Sequence, residues 1–210
     1  MTALTLYDYE LDEHCYKVRL LFGALDRPYV KIAVDVHPGR EHLSARYLKL
    51  NPLGALPILT EGDFVLRGAE AILAYLSRKF DRSRTWLPDD PATFAEVMQW
   101  LAFAGSALAA ASAARLHAML EADADEAAVA RASRLAFRHM DDHMTKREFD
   151  DAQWFVGHAP TIADIALFPA IALSRDFGID HDEYPGLRRW MGRVRTIPGF
   201  ITMPGIPAYH

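Results

Sequence analysis

The chain has 210 residues, 51% hydrophobic and 24% charged, a balance that supports a packed core and excludes extended disorder, collagen and a disulfide miniprotein. Lys and Arg number 23 against 28 Asp and Glu, a formal charge of -5, so nothing favours nucleic acid or an acidic membrane as partner. One cysteine, Cys15, rules out an internal disulfide and a cysteine-rich zinc cluster. Residues 4–7 and 29–34 alternate at period two, and Cys15, Val18, Leu21, Phe22 and Leu25 recur between them at helical spacing, giving strand, helix, strand. A second helix is predicted over 41–48. Asn51-Pro52-Leu53-Gly54 then reads as a turn and 56–59 as a short strand. Glu61-Gly62-Asp63 turns back into 64–66, and Ala69, Ile72, Leu73, Leu76 and Phe80 form a helical stripe able to cover a sheet. Residues 1–80 thus predict an α/β domain of order βαβαββα.

Residues 81–91 are polar and proline-punctuated, as suits a linker. Helical patterns follow over 93–120, 127–148, 161–174 and 187–196, predicting an all-helical domain over 92–210. The stretch 97–114 lacks charge and approaches the roughly 18 residues of a membrane span, but it is alanine-rich and includes Gln99, Gly105, Ser106 and Ser112, so a bundle helix is expected. The acidic start, with Asp8, Glu10, Asp12 and Glu13, does not resemble a secretory signal, and a cytoplasmic protein is expected. Thr161-x-x-Asp164 is a capping box. His139 and His143 lie one helical turn apart, a metal-binding spacing, yet no third ligand accompanies them; a solvated helix face is expected and no metal. Arg131, Arg134 and Arg138 share that helix with Asp141, Asp142 and Glu148, which favours salt bridges over phosphate binding.

Residues 51–59, 62–66 and 71–76, read as Asn-Pro-Leu-Gly-Ala-Leu-Pro-Ile-Leu, Gly-Asp-Phe-Val-Leu and Ala-Ile-Leu-Ala-Tyr-Leu, resemble the N-terminal domain of cytosolic glutathione transferases. Gly157, Pro160 and 161–166 resemble the family's helical-domain motif, and Trp190, Arg193 and Pro198-Gly199-Phe200 the end of its last helix. Bacterial theta-like or nu-like members are the nearest in pattern. The resemblance implies a thioredoxin-like α/β domain joined to an all-α bundle, glutathione as co-substrate, a small apolar electrophile as second substrate, and a homodimer. It makes Leu56-Pro57 the cis-proline turn whose preceding residue offers N–H and C=O to glutathione in strand-like fashion. His42 matches a theta-like histidine that reaches the glycine carboxylate. Trp100, Phe103 and Arg115 are candidates for an acceptor pocket.

Two departures mark the site. Theta-like relatives carry a serine, which donates to the glutathione sulfur, where this chain has Asp12; an ionised aspartate only accepts. Asp12 reads equally as the N-cap of the next helix. Cys15 would then lie near free helix N–H groups, where a thiol pKa falls, so it is either a reactive thiol or a core residue. Tyr7 is the third candidate, since other classes use a tyrosine near this strand end. At the γ-glutamyl end the usual Glu-Ser is replaced by Gly68-Ala69, which leaves backbone N–H groups for the carboxylate and Glu70 for the amine. The function implied is conjugation of glutathione to an electrophile. Thiol–disulfide exchange through Cys15 and a noncatalytic binding or regulatory role are the alternatives.

Overall fold

The computed structural model describes residues 3–206. The extreme ends of the two predicted domains, residues 1–2 and 207–210, lie outside the described residues. The first part of the chain forms β1 (Leu4–Asp8), α1 (Glu13–Ala24), β2 (Val30–Ala33), a 3-10 turn (Glu41–Leu43), α2 (Ala45–Leu50), β3 (Ile58–Glu61), β4 (Phe64–Arg67) and α3 (Ala69–Phe80). Ser44, extended at φ -69° and ψ 155°, splits the helix predicted over 41–48 into that turn and α2. Pro57 has no N–H to give a ladder, and β3 begins one residue later, not at residue 56.

The sheet order is β2-β1-β3-β4, with β1 parallel to β2 and antiparallel to β3, and β3 antiparallel to β4. Leu4 and Leu6 of β1 alternate into the core, where Leu20, Leu21, Ile72, Leu73 and Leu76 of α1 and α3 cover them. This is a thioredoxin-like domain. The register carries a functional consequence: Tyr7 pairs with Ile58 and Ile58 with Arg67, so the end of β1, the Leu56-Pro57 turn and Gly68 share one end of the sheet.

The α-helices of the rest of the described chain are α4 (Pro91–Ser106), α5 (Ala109–Leu120), α6 (Glu126–Phe149), α7 (Ile162–Ala172) and α8 (Pro185–Val194), with no strand among them. Taken as one stretch, Pro91–Leu120 is long and apolar enough to cross a membrane. The chain turns at Ala107 and Leu108, however, leaving helices of 16 and 12 residues that pack on α7 and α6. Both are shorter than a span of about 18 residues. All 11 residues of α7 are buried, between α1 and α3 on one side and α4 and α8 on the other, so the two domains share one core.

The predicted capping box starts α7, and Asp164 does more than cap. Its Oδ2 accepts from the Thr161 N–H at 2.9 Å, while Oδ1 accepts from the Phe155 N–H at 3.1 Å and Trp190 Nε1 at 2.9 Å. Burial pushes its carboxyl above the usual range in spite of these donors. Residues 81–91 are tied down too: Asp81 accepts from the Ser83 and Trp86 N–H groups, Trp86 and Leu87 are buried, and the Trp86 carbonyl accepts from Ile162. His143 is not solvated as expected. Its Nε2 lies 2.9 Å from the Phe155 carbonyl, its ring packs 4.7 Å from Trp100, and burial holds its pKa below the ordinary value. Salt-bridging occurs, but across elements and not along the one helix: among the described residues Arg134 pairs with Glu183 at 2.7 Å, and Glu148 holds Arg189 and Arg193 of α8.

Candidate functional site

Both α1 and α3 begin at the sheet end defined above, so the positive ends of two helix dipoles meet the Leu56-Pro57 turn there. The two helix starts are joined by Lys17 and Glu70, with Nζ 3.0 Å from Oε1. The Lys17 side chain is only 2% exposed, and an ammonium so buried needs a partner. Burial works against the charge of Glu70, but Lys17 outweighs it and holds the carboxyl below its ordinary value.

The loop between β1 and α1 is held from both sides. Arg19 pairs with buried Asp8 at 2.6 Å and donates to the carbonyls of Tyr9 at 3.3 Å and Glu10 at 2.8 Å. Burial raises the Asp8 carboxyl above its usual range even beside Arg19. From the helical domain, Arg115 Nη1 donates to the Leu11 carbonyl at 2.6 Å and its Nε to Asp176 at 2.8 Å. Asp12 is the N-cap of α1, its Oδ1 2.7 Å from the Cys15 N–H. That carboxylate is spent on the backbone and has no proton to donate. Cys15 is fully buried, and its sulfur accepts from the Tyr9 N–H at 3.5 Å. Burial, reinforced by Asp12 and Asp8, pushes its thiol well above the ordinary value, the reverse of the lowering expected from a helix start.

The rim opposite is built by its own sequence. Asn51 is buried, donates to the Ala55 carbonyl at 2.7 Å and accepts from the Leu53 N–H at 3.2 Å, an Asx-type turn that fixes the approach to Leu56. The Leu56–Pro57 bond is cis, and Leu56 stands outside the β3 ladder. Gly54, at φ +60°, closes the turn: a Cβ there would strike Leu43 and approach the His42 carbonyl at 3.9 Å, which places His42 beside this rim. Burial and then Arg40 lower the His42 pKa. Gly68 is the N-cap of α3 at φ +82°, exposed, with open space where a Cβ would stand. The sheet end thus gathers His42, Leu56, Pro57, Gly68, Ala69 and Glu70 near the α1 start.

Other candidates fall elsewhere. Tyr7 lies on the opposite face of β1 from Leu4 and Leu6, its ring edge-on to Tyr47 of α2 at 5.8 Å. Trp100 and Phe103 pack against α6 and the segment after it: Trp100 on His143 and Phe155 at 4.7 Å each, Phe103 on His139 at 5.4 Å. The hollow of about 380 Å³ beside Trp100 is lined only by residues of the helical domain. Aromatic spacing reveals a packed helix face but not which neighbour it packs against. Arg115 is buried and committed to Leu11 and Asp176, so it braces the loop; a hollow of about 270 Å³ lies beside it, lined also by Leu11, Met119 and Pro204. Sequence reasoning missed Lys17, His14, Glu13 and Ser112. The Ser112 hydroxyl of α5 donates to Glu13 Oε1, spanning the gap between the domains, while Glu13 Oε2 is buried without a partner among the described residues. A lysine and a glutamate set among the apolar residues of two helices were the available signal.

The family model for the glutathione S-transferase N-terminal domain matches residues 6–84 and that for the C-terminal domain residues 103–198. The chain is 28% identical over 212 residues to Glutathione S-transferase GstB of Escherichia coli, covering 97% of this chain and 99% of that protein. It is 30% identical over 204 residues to Glutathione S-transferase 1 of Manduca sexta, covering 93% and 89%. A crystal structure of a glutathione transferase homologue from Drosophila mojavensis, with bound glutathione, is similar at TM-score 0.83 and 27% identity, covering 94% of this chain and 90% of that one. With both domains matched in order and a relative 30% identical along most of its length, the chain belongs to the glutathione S-transferase family.

Proposed function

We propose that the protein binds glutathione along the Leu56 rim and transfers its sulfur to a small apolar electrophile held between the domains. The observation that carries this reading is the meeting of the Leu56 backbone, outside the β ladder, with the starts of α1 and α3 at one sheet end. An extended tripeptide pairs there with main-chain groups as an added strand. The N–H groups of Gly68 and Ala69 receive the γ-glutamyl carboxylate, Glu70 the amine, and His42 the glycine carboxylate. In the reaction the thiol proton leaves to solvent, a carbon–sulfur bond forms, and the electrophile's leaving group departs with the bonding electrons. A homodimer is proposed from the same family likeness.

Cys15 is a poor candidate for disulfide exchange, because a buried thiol with a raised pKa offers little thiolate. The noncatalytic reading draws on a different observation: Asp12 caps α1 and Cys15 is buried, so neither offers a donor to the sulfur, while the Tyr7 ring packs on Tyr47. Turnover separates the readings. The purified protein with glutathione and an activated aryl halide is expected to release halide in proportion to enzyme, saturating in both substrates. Binding of glutathione without turnover on any electrophile tried would favour the noncatalytic reading.

A further inference from the structure

The glutathione reading leaves the thiolate without a donor, and one side chain in the first turns of α1 is placed to supply it. We propose that His14 donates from Nε2 to the sulfur of bound glutathione, and that Lys17, anchored on Glu70, is the residue that positions its ring. The inference rests on the glutathione reading above.

Lys17 Nζ lies 3.3 Å from His14 Nδ1 and 3.0 Å from Glu70 Oε1. An ammonium has only donors, so Nδ1 accepts and the ring carries its proton on Nε2. That nitrogen lies 3.8 Å from Glu13 Oε1, the oxygen that takes the Ser112 hydroxyl of α5, so it faces the gap between the domains. Access singles out the same residue. The side chain of His14 is 35% exposed, whereas Glu13, Cys15, Tyr16 and Lys17 are all buried.

The charges around the ring are Asp12 before α1, Glu13 and Lys17 on α1, Glu70 on α3 and, through the Leu11 carbonyl, Arg115 on α5. Three carboxylates against two cations oppose ionisation of a thiol, so a directed N–H donor is what the sulfur requires. The thiol proton goes to solvent, and the imidazole keeps its Nε2 proton and shares it with the sulfur. His14 therefore acts as a hydrogen-bond donor and not as a general base.

The test reads ultraviolet thiolate absorbance of glutathione bound to the full-length protein against pH, with calorimetry reporting binding separately. In the wild type the thiolate fraction at neutral pH should exceed that of free glutathione. His14→Ala should lower it about tenfold, with a matching loss in kcat and affinity held within about threefold. His14→Gln, which keeps an N–H donor, should recover part of the loss. Lys17→Met should lower the fraction as His14→Ala does, and Lys17→Arg should restore it. Unchanged thiolate in His14→Ala with binding intact overturns the role of His14 alone. Absence of glutathione binding to the wild type overturns both this inference and the reading it rests on.

Discussion

Arg115 on α5 donates to the Leu11 carbonyl at 2.6 Å, so a helix of the second domain fixes the loop that introduces α1 in the first. The same guanidinium holds Asp176 at 2.8 Å. Arg115→Ala should destabilise by about 3 kcal/mol or more, because it leaves a carboxylate and a carbonyl without their donor. Arg115→Lys keeps the charge but not the fork and should recover less than half. Urea denaturation of the three proteins measures this; a loss under about 1 kcal/mol in Arg115→Ala would contradict the bracing role.

Cys15 is expected to be inert. In the native protein a thiol reagent should react far more slowly than after unfolding, since burial raises the thiol pKa and blocks access. Cys15→Ala should cost about 1 kcal/mol of stability and leave turnover within about twofold. Loss of turnover in a folded Cys15→Ala protein would revive the exchange reading.

Asp164 separates a cap from a hub. A lost cap costs about 1 kcal/mol, whereas removing a buried carboxylate that serves Thr161, Phe155 and Trp190 strands three donors and should cost about 3 to 5 kcal/mol. Chemical denaturation of Asp164→Ala decides between the two figures.

At Gly68 stability and binding should move in opposite directions. Its φ of +82° strains any side-chain-bearing residue, by about 1 to 3 kcal/mol, while the space beyond is open. Gly68→Glu restores the carboxylate implied by the family resemblance, so it should lower Tm yet tighten glutathione binding. Thermal melts and calorimetry on the one variant test both signs.

Acid should weaken the fold through histidine. Burial depresses His143 and His181 below the ordinary histidine value of about 6.5, so the unfolded chain binds these protons more readily than the native state. Their stabilising contribution is present above pH 6.5 and is lost as pH falls through the depressed folded values. Tm should therefore fall as pH drops through and below about 6.5, and less steeply in His143→Gln. An equal fall in both proteins would exclude His143 as a source.

The order βαβαββα was legible because two periodicities alternate cleanly along residues 4–80, and Asp12 as a cap because an aspartate directly precedes the helical stripe. The helix break at Ala107 and Leu108 was not legible, since alanine carries no stop signal. The site was harder still. Lys17–Glu70 joins residues 53 apart, Glu13–Ser112 residues 99 apart and Arg115–Leu11 residues 104 apart, and no local pattern encodes such pairings. Trp100 and Phe103 show the same limit, with a helix face correctly apolar and its partner, α6, unforeseen.

Titration calorimetry of the wild-type protein with glutathione, run at two temperatures, tests the central claim most directly. A saturable heat is expected, with a Tm rise that grows with ligand and corresponds to about 2.7 kcal/mol at 100 times the dissociation constant. No heat at either temperature, together with an unmoved Tm at millimolar glutathione, would contradict the account.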